Sequence, residues 1–297
     1  MERDLALLCN PSAGGGRARR VLPDVQDALR GLKLQFHTEI TRDVEHAREL
    51  AVAAAQAGEV TVTLSGDGLV GCVCGVLREH PGALLGILPG GRGNDTARAL
   101  GIPKDPAAAC EVIAGGVERD LDVGDVGGRA FIGIASLGID SDANRIANAA
   151  PSRLGNLVYL YGGLRALARW KPARFELRLD GEPLSLDGYS VAACNSPYYG
   201  GGMHLAPAAR LDDGLLDVVL ISDMAKRRYL AALPGVFRGT HVTNPHVRIL
   251  QGRELHVEAD RSFTIYADGD PIGVTPATIS VMPRALRVLA PGVSNAA

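Results

Sequence analysis

The chain has 297 residues, 46% of them hydrophobic and 22% charged, with a formal net charge of −2, which is ample apolar content for the cores of two domains. A near-neutral balance excludes general nucleic-acid binding, which needs a strongly basic surface. No apolar run reaches the length of a membrane span, and the charged start Met1-Glu2-Arg3-Asp4 is unlike a signal peptide, so a cytoplasmic protein is expected, with any membrane contact peripheral and at the inner face.

Residues 5–9 read as a buried strand that ends in Asn10-Pro11-Ser12-Ala13-Gly14-Gly15-Gly16. A strand at 34–40 and a helix at 44–57 follow, with Thr41 in the turn between them. The apolar run 60–64 ends in Ser65-Gly66-Asp67-Gly68, and the run 84–88 in Pro89-Gly90-Gly91-Arg92-Gly93-Asn94-Asp95. Helical patterns follow each loop. This alternation predicts an α/β domain with a parallel sheet over residues 1–127.

Near Gly115-Gly116 the rhythm changes. Period-two segments at 173–179, 184–194, 215–221, 246–257, 263–267 and 286–290 predict an antiparallel, β-rich, sandwich-like domain over residues 128–297. Asp-Gly pairs at Asp180 and Asp187 read as hairpin turns; those at Asp213 and Asp268 stand in segments with a second acidic residue nearby. Helices are expected at about 154–169 and 224–233, and the tail after about 291 is either loose or returned to the first domain. Cys9, Cys72, Cys74, Cys110 and Cys194 are odd in number, lie in apolar runs and lack metal-finger spacing, so reduced thiols and no zinc are expected.

Strand-to-helix turns of an open parallel sheet all lie at its carboxyl edge, so the three glycine loops converge on one rim. Taken singly, each loop could be no more than a tight connection. Together they offer backbone amides beside helix N-termini, which suit phosphate. Asp67, Asp95 and Asp122 would repel phosphate unless a divalent cation lay between, which is how magnesium meets a triphosphate.

These residues resemble the diacylglycerol kinase catalytic-domain family, which includes sphingosine and ceramide kinases and bacterial lipid kinases. The resemblance extends through Asp122, Gly200-Gly201-Gly202-Met203, Ala206-Pro207, the segment from Leu211 to Asp217, and Asp268-Gly269-Asp270. It implies ATP held at Asn10, Pro11, Ser12, Ala13, Gly14, Thr41, Gly66, Asp67, Gly68, Leu69, Val70, Gly71, Cys72 and Arg92. It also implies catalytic Mg2+ organised by Asp67, Asp95 and Asp122, and a structural Mg2+ at the Asp213 carboxylate with the carbonyls of Arg210 and Leu215. Asp270 stands where the family has the glutamate that takes the proton of the lipid hydroxyl, and the substrate implied is a diacylglycerol-like or sphingoid-like lipid alcohol.

Five positions depart from the family pattern: Leu69 and Arg92 replace threonines, Gly71-Cys72 replaces Asn-Glu, and Asp270 replaces Glu. Two other readings stay open, an NAD-kinase-like phosphotransferase and a non-catalytic lipid or nucleotide binder. Residues 159–175, with Leu160, Leu164, Leu167, Trp170 and a basic face, suit either a lipid surface or packing on their own domain. Lys226-Arg227-Arg228-Tyr229 is a second candidate for membrane contact. Oligomeric state has no signal in the sequence.

Overall fold

The computed structural model describes residues 4–149 and 157–292; the tail expected to be loose (293–297) and the expected helix start at 154–156 lie outside the described residues. The first half runs β1 (Leu5–Cys9), α1 (Ala13–Gly31), β2 (Phe36–Ile40), α2 (Val44–Ala57), β3 (Val60–Ser65), α3 (Asp67–Leu77), β4 (Leu84–Pro89), α4 (Asp95–Ala99) and α5 (Pro106–Gly115). Strands pair in parallel in the order β2-β1-β3-β4. Every residue of β1, β3 and β4 is buried. A parallel strand covered by helices on both faces has no polar side, which is why these segments read as unbroken apolar runs. Local signals set the helix ends: the Asp43 carboxylate accepts the His46 amide at the start of α2, and left-handed Gly58 closes it.

The second half continues with β5 (Val117–Val126), β6 (Arg129–Phe131), β7 (Ile134–Gly138), α6 (Ile139–Asn148), α7 (Leu157–Arg169), β8 (Ala173–Leu179), β9 (Glu182–Cys194), β10 (Tyr198–Tyr199), β11 (Met203–His204) and β12 (Leu216–Ser222). It ends with α8 (Lys226–Phe237), β13 (Val247–Gly252), β14 (Glu254–Ala259), β15 (Thr264–Ala267), β16 (Asp270–Val274) and β17 (Ala277–Ala290). Except for the pairing of β17 with β4, strand pairs here are antiparallel. The first part of β9 pairs with β8, while its last residues pair with β7 and β12. One strand thus serves two layers, and the core between them holds Phe131, Phe175, Leu177, Tyr189, Val191, Val218, Leu255 and Ile265. Strand β8 alternates strictly between buried and exposed positions, the pattern of a sheet with one face on the core.

Two expectations need correction. Asp187-Gly188 is no turn: it lies inside β9, at a register shift against β12, where Gly188 passes close to the Ile221 carbonyl. Asp180-Gly181 does form the β8–β9 hairpin turn, with φ of +50° and +87°. The segment 246–257 is two strands rather than one, parted at Gly252-Arg253. All five cysteines are free thiols, and burial raises Cys9 and Cys110 to about 11 and Cys74 to about 12.

Strand β17 belongs to both halves. Its first residues pair with β14, and its later ones run beside β5 and, at Val288↔Leu85, beside β4 in parallel. Leu286, Val288 and Leu289 pack into the core of the first half. A second link is the guanidinium of Arg78, the residue that follows α3, 2.8 Å from the Asp125 carboxylate and 2.7 Å from the Gly128 carbonyl. Both side chains of that ion pair are largely buried.

Candidate active site

The three glycine loops meet at the carboxyl edge of β1, β3 and β4. The amides of Gly90 and Gly91 both donate to the Ser65 carbonyl, at 2.8 and 3.0 Å. A side chain on Gly91 would run into the backbone of Gly66, so the second and third loops touch only because neither carries a Cβ there. Asn94, buried and left-handed at φ +52°, holds the third loop by accepting the Gly91 amide and donating to the Gly91 carbonyl. Asn10 accepts from the amide and hydroxyl of Ser12, and Gly14 lies against Gly90 and Gly91. Arg92 is exposed, its guanidinium beside Gly15 of the first loop.

Asp67 and Asp95 face one another across Gly93. A Cβ on Gly93 would lie 3.3 Å from an Asp67 oxygen and 3.1 Å from an Asp95 oxygen. One oxygen of each is fixed: Asp67 accepts the Thr96 amide at 2.9 Å, and Asp95 accepts the Gly201 amide at 2.8 Å. The other Asp95 oxygen, Oδ1, is buried without a partner. Burial raises the Asp95 carboxyl, the Gly201 amide opposes this, and the charge of Asp67 adds to the rise. Two like charges with a buried, unpartnered oxygen fit a hard divalent cation. No three His, Cys, Asp or Glu side chains cluster to hold a metal among the described residues; a cation here would complete its shell with phosphate oxygens and water, as Mg2+ does.

Asp122 stands elsewhere. It is 1% exposed, and both carboxylate oxygens are taken by backbone amides, Gly214 at 2.6 Å and Arg284 at 2.8 Å. Arg284 lies in the bulge of β17, so Asp122 staples that bulge to the acidic loop at 210–215. In that loop Asp213 accepts the Leu215 amide. Asp212 is clamped by Arg119 and Arg210; burial would raise its carboxyl, but the two guanidiniums outweigh this and lower it. Arg210 and Leu215 bracket Asp213 in the same turn.

Asp270 opens β16, and one of its carboxylate oxygens lies 3.3 Å from where a Gly68 Cβ would stand. Asp270 therefore faces the second loop from the other half of the molecule. Partial desolvation raises its carboxyl, and Arg129 lowers it. Asp268, which the sequence singled out without a role, accepts the amides of Ile132 and Gly133 at 2.9 and 3.0 Å. Its carboxylate also lies against Gly71 of α3. Burial lifts it to about 7, the Ile132 amide opposes this, and the charge of Asp67 adds to it. This buried carboxylate fixes the turn that presents Asp270.

Other expected contacts place less than hoped on the rim. The side chains of Leu69 and Val70 are buried in the hydrophobic core, leaving only their backbones for a ligand. The Thr41 hydroxyl donates to the Cys9 carbonyl and is buried. Cys72 is half-buried, its thiol toward the Val44 carbonyl. Pro11 and Ala13 flank Ser12 in the first loop.

Sequence reasoning missed Arg98. Its Nε is buried without a partner, and its guanidinium stacks over the Tyr198 ring at 5.5 Å. It also lies against Gly202, whose φ of +107° and lack of a Cβ admit it. Tyr198 stacks in turn on His204 at 4.5 Å. The Gly200–Gly202 tip of the β10–β11 hairpin thus reaches from the second half to Asp95. Only its glycine triplet signalled this.

Comparison with known proteins fits this geometry. Residues 4–126 match the model of the diacylglycerol kinase catalytic domain. Residues 133–290 match that of the YegS C-terminal NAD kinase beta sandwich-like domain. A diacylglycerol kinase of Mycobacterium tuberculosis is 34% identical over 294 residues, covering 96% of this chain and 94% of that one. Another, of Bacillus subtilis, is 27% identical over 293 residues, covering 96% and 95%. A crystal structure of a diacylglycerol kinase from Bacillus anthracis superposes with a TM-score of 0.80 at 23% identity, covering 97% of each chain.

Proposed function

Because the chain belongs to the diacylglycerol kinase family of lipid kinases, we propose that it transfers the γ-phosphate of ATP to the hydroxyl of a diacylglycerol-like lipid. The observation that carries this reading is the pair Asp67 and Asp95 at the convergence of three glycine loops, with Asp270 facing them from the second half. In this reading the loop backbones at Asn10 to Gly14 and Gly66 to Cys72 hold the nucleotide phosphates, with Arg92 supplying a positive charge above the first loop. Asp67 and Asp95 hold Mg2+, which when bound neutralises charge on the phosphates and aligns them. Their backbone amide partners fix both carboxylates in advance, so little reorganisation is needed when substrate arrives.

Asp270 takes the proton of the lipid hydroxyl as its oxygen meets phosphorus. A carboxyl raised by desolvation is a stronger base than one in water. Asp268 holds that turn, and Asp213 with the carbonyls of Arg210 and Leu215 is proposed to bind a second Mg2+ that shapes the loop stapled by Asp122. Supporting the lipid reading over an NAD-kinase-like one are the Asn10-Pro11 loop and the acidic loop at Asp213.

The test is turnover of radiolabelled ATP against a panel of lipid alcohols and NAD. Label in a lipid fraction supports the proposal, and label in NADP or in none of the acceptors rejects it. Within that assay Asp270→Asn should depress kcat by about 100-fold or more with ATP and lipid binding kept, since proton acceptance matters in the transition state. Asp270→Glu restores the longer side chain of the family. A kcat indifferent to both would place the base elsewhere.

A further inference from the structure

We propose that α7 and α8 together form the face by which this protein lies on an anionic lipid bilayer, an inference that rests on the lipid-kinase reading for its purpose but not for its evidence. The first observation is charge. Residues 157–175 hold four basic and no acidic side chains, and residues 224–253 hold six and none, in a chain whose formal charge is −2. The positive charge is therefore segregated, and the structure gathers it: the Lys226 Nζ at the start of α8 donates to the Ala168 carbonyl near the end of α7, at 2.9 Å. Trp170 after α7 and Tyr229 of α8 both stack on Tyr189, at 6.1 and 4.4 Å.

The second observation is which side chains are left outside. Of the two readings of this segment, packing on its own domain holds for the aromatic end of α7: Trp170 and Leu167 are buried in the core of the second half, and the side chains at 159 and 160 lie outside the described residues. The exposed stripe is instead Tyr161, Leu164, Arg165 and Ala168, at helical spacing. In α8 the exposed stripe is Arg227, Leu230, Ala231, Pro234 and Phe237. Phe237 is 59% exposed, Leu230 43%, Leu164 42% and Tyr161 37%. Arg165, Arg169, Arg227, Arg228 and Arg238 form no ion pair with a carboxylate among the described residues.

Large apolar side chains interleaved with arginines that no carboxylate neutralises among the described residues (Arg165 donates to the Tyr161 hydroxyl, at 2.9 Å) are poorly placed in water and poorly suited to a dry protein interface, where charge must be matched. They suit a headgroup layer, in which the rings and leucines sink to the acyl boundary and the guanidiniums stay with lipid phosphates. Anionic lipid is the occupant because every charged side chain of α7 and α8 themselves is basic.

Cosedimentation of the full chain with phosphatidylcholine vesicles, plain or doped with phosphatidylglycerol, tests this. Wild type should bind the doped vesicles, release as salt rises, and leave plain ones alone. Arg227→Glu with Arg228→Glu should weaken partition by about 25-fold or more, at roughly fivefold for each positive charge lost. Phe237→Ser should weaken it without changing its salt dependence. Both variants should keep wild-type turnover of a short-chain diacylglycerol dispersed as monomers, which also shows that they fold. Equal binding to both vesicles, or variants that bind as wild type does, overturns the inference. So does a dimer in light scattering that Phe237→Ser dissolves, since the face would then belong to a second copy. Absent turnover of short-chain lipid by the wild type would reject the kinase reading, while the vesicle partition would still decide the face.

Discussion

Replacing Asp122 by asparagine removes one carboxylate oxygen from a place where both are used. The carboxylate is 1% exposed and accepts the amides of Gly214 at 2.6 Å and Arg284 at 2.8 Å. Asparagine keeps one acceptor and turns an NH2 toward the other amide, leaving a buried N–H without a partner. Losing one charge-assisted bond costs about 1.5–3 kcal/mol, and the surviving bond becomes a neutral one at about 1 kcal/mol less. The sum is about 3 kcal/mol, or roughly 6–12 °C in Tm for a cooperative unit of this size. Calorimetry with parallel kcat measurement reads both consequences. The structure predicts a lower Tm and a higher Mg2+ requirement, from a loosened Asp213 loop, with residual activity at saturating Mg2+. A wild-type Tm together with abolished turnover would refute the staple and return Asp122 to the catalytic rim.

Asp67→Asn should lower kcat by about 10³-fold with its fold retained, because a preorganised carboxylate beside transferring phosphate contributes several kcal/mol; wild-type kcat in a verified variant would remove Asp67 from the site. Arg92→Thr, which restores the family residue, should weaken ATP binding and flatten its salt dependence, read by isothermal titration; an unchanged Kd at low and high salt would leave Arg92 without a nucleotide contact. Burial raises the Asp140 carboxyl to about 7, above its unfolded value of about 4, so the folded state holds more protons between these limits. Stability should therefore be full below about pH 4, fall as pH rises to about 7, and stay level above. Asp140→Asn should remove that slope and stabilise the fold at pH 8 by at most about 4 kcal/mol, seen as a higher Tm; identical pH profiles for variant and wild type would contradict it.

The rim was legible in the sequence because a parallel sheet dictates where its turns go. Loops ending β1, β3 and β4 had no choice but to meet, so Asp67 and Asp95 could be paired from their spacing alone. Asp122 could not be placed this way. It lies within β5, and its partners Gly214 and Arg284 come from distant parts of the chain whose register only the folded sheet sets. The side chains of Leu69 and Val70 turn away from the rim for a related reason: on a helix one residue in a motif faces the loops and its neighbours face the core. Asp187-Gly188 shows the limit of turn chemistry, since the same dipeptide that makes a hairpin at Asp180 serves a bulge inside β9. Arg98 was invisible because a lone arginine gains meaning only from Tyr198 and Gly202, which lie about a hundred residues downstream.

Strand β17 has a bearing on how this chain is made. Translation delivers β1 to β5 first, yet the strand that sits between β4 and β5 in the finished sheet emerges some 150 residues later. Until then the nascent first half has two open strand edges and an unfilled place where Leu286, Val288 and Leu289 belong. Exposed edges of that kind invite wrong pairing. A fragment cut after residue 127 would keep those edges for good, so it should be a poor isolated nucleotide binder and prone to aggregate. Supplying residues 277–290 as a separate peptide, or grafting them behind β5 through a short linker, would close the sheet. The parallel sheet of the first half is thus completed by β17, a strand synthesised after the strands of the second half that precede it.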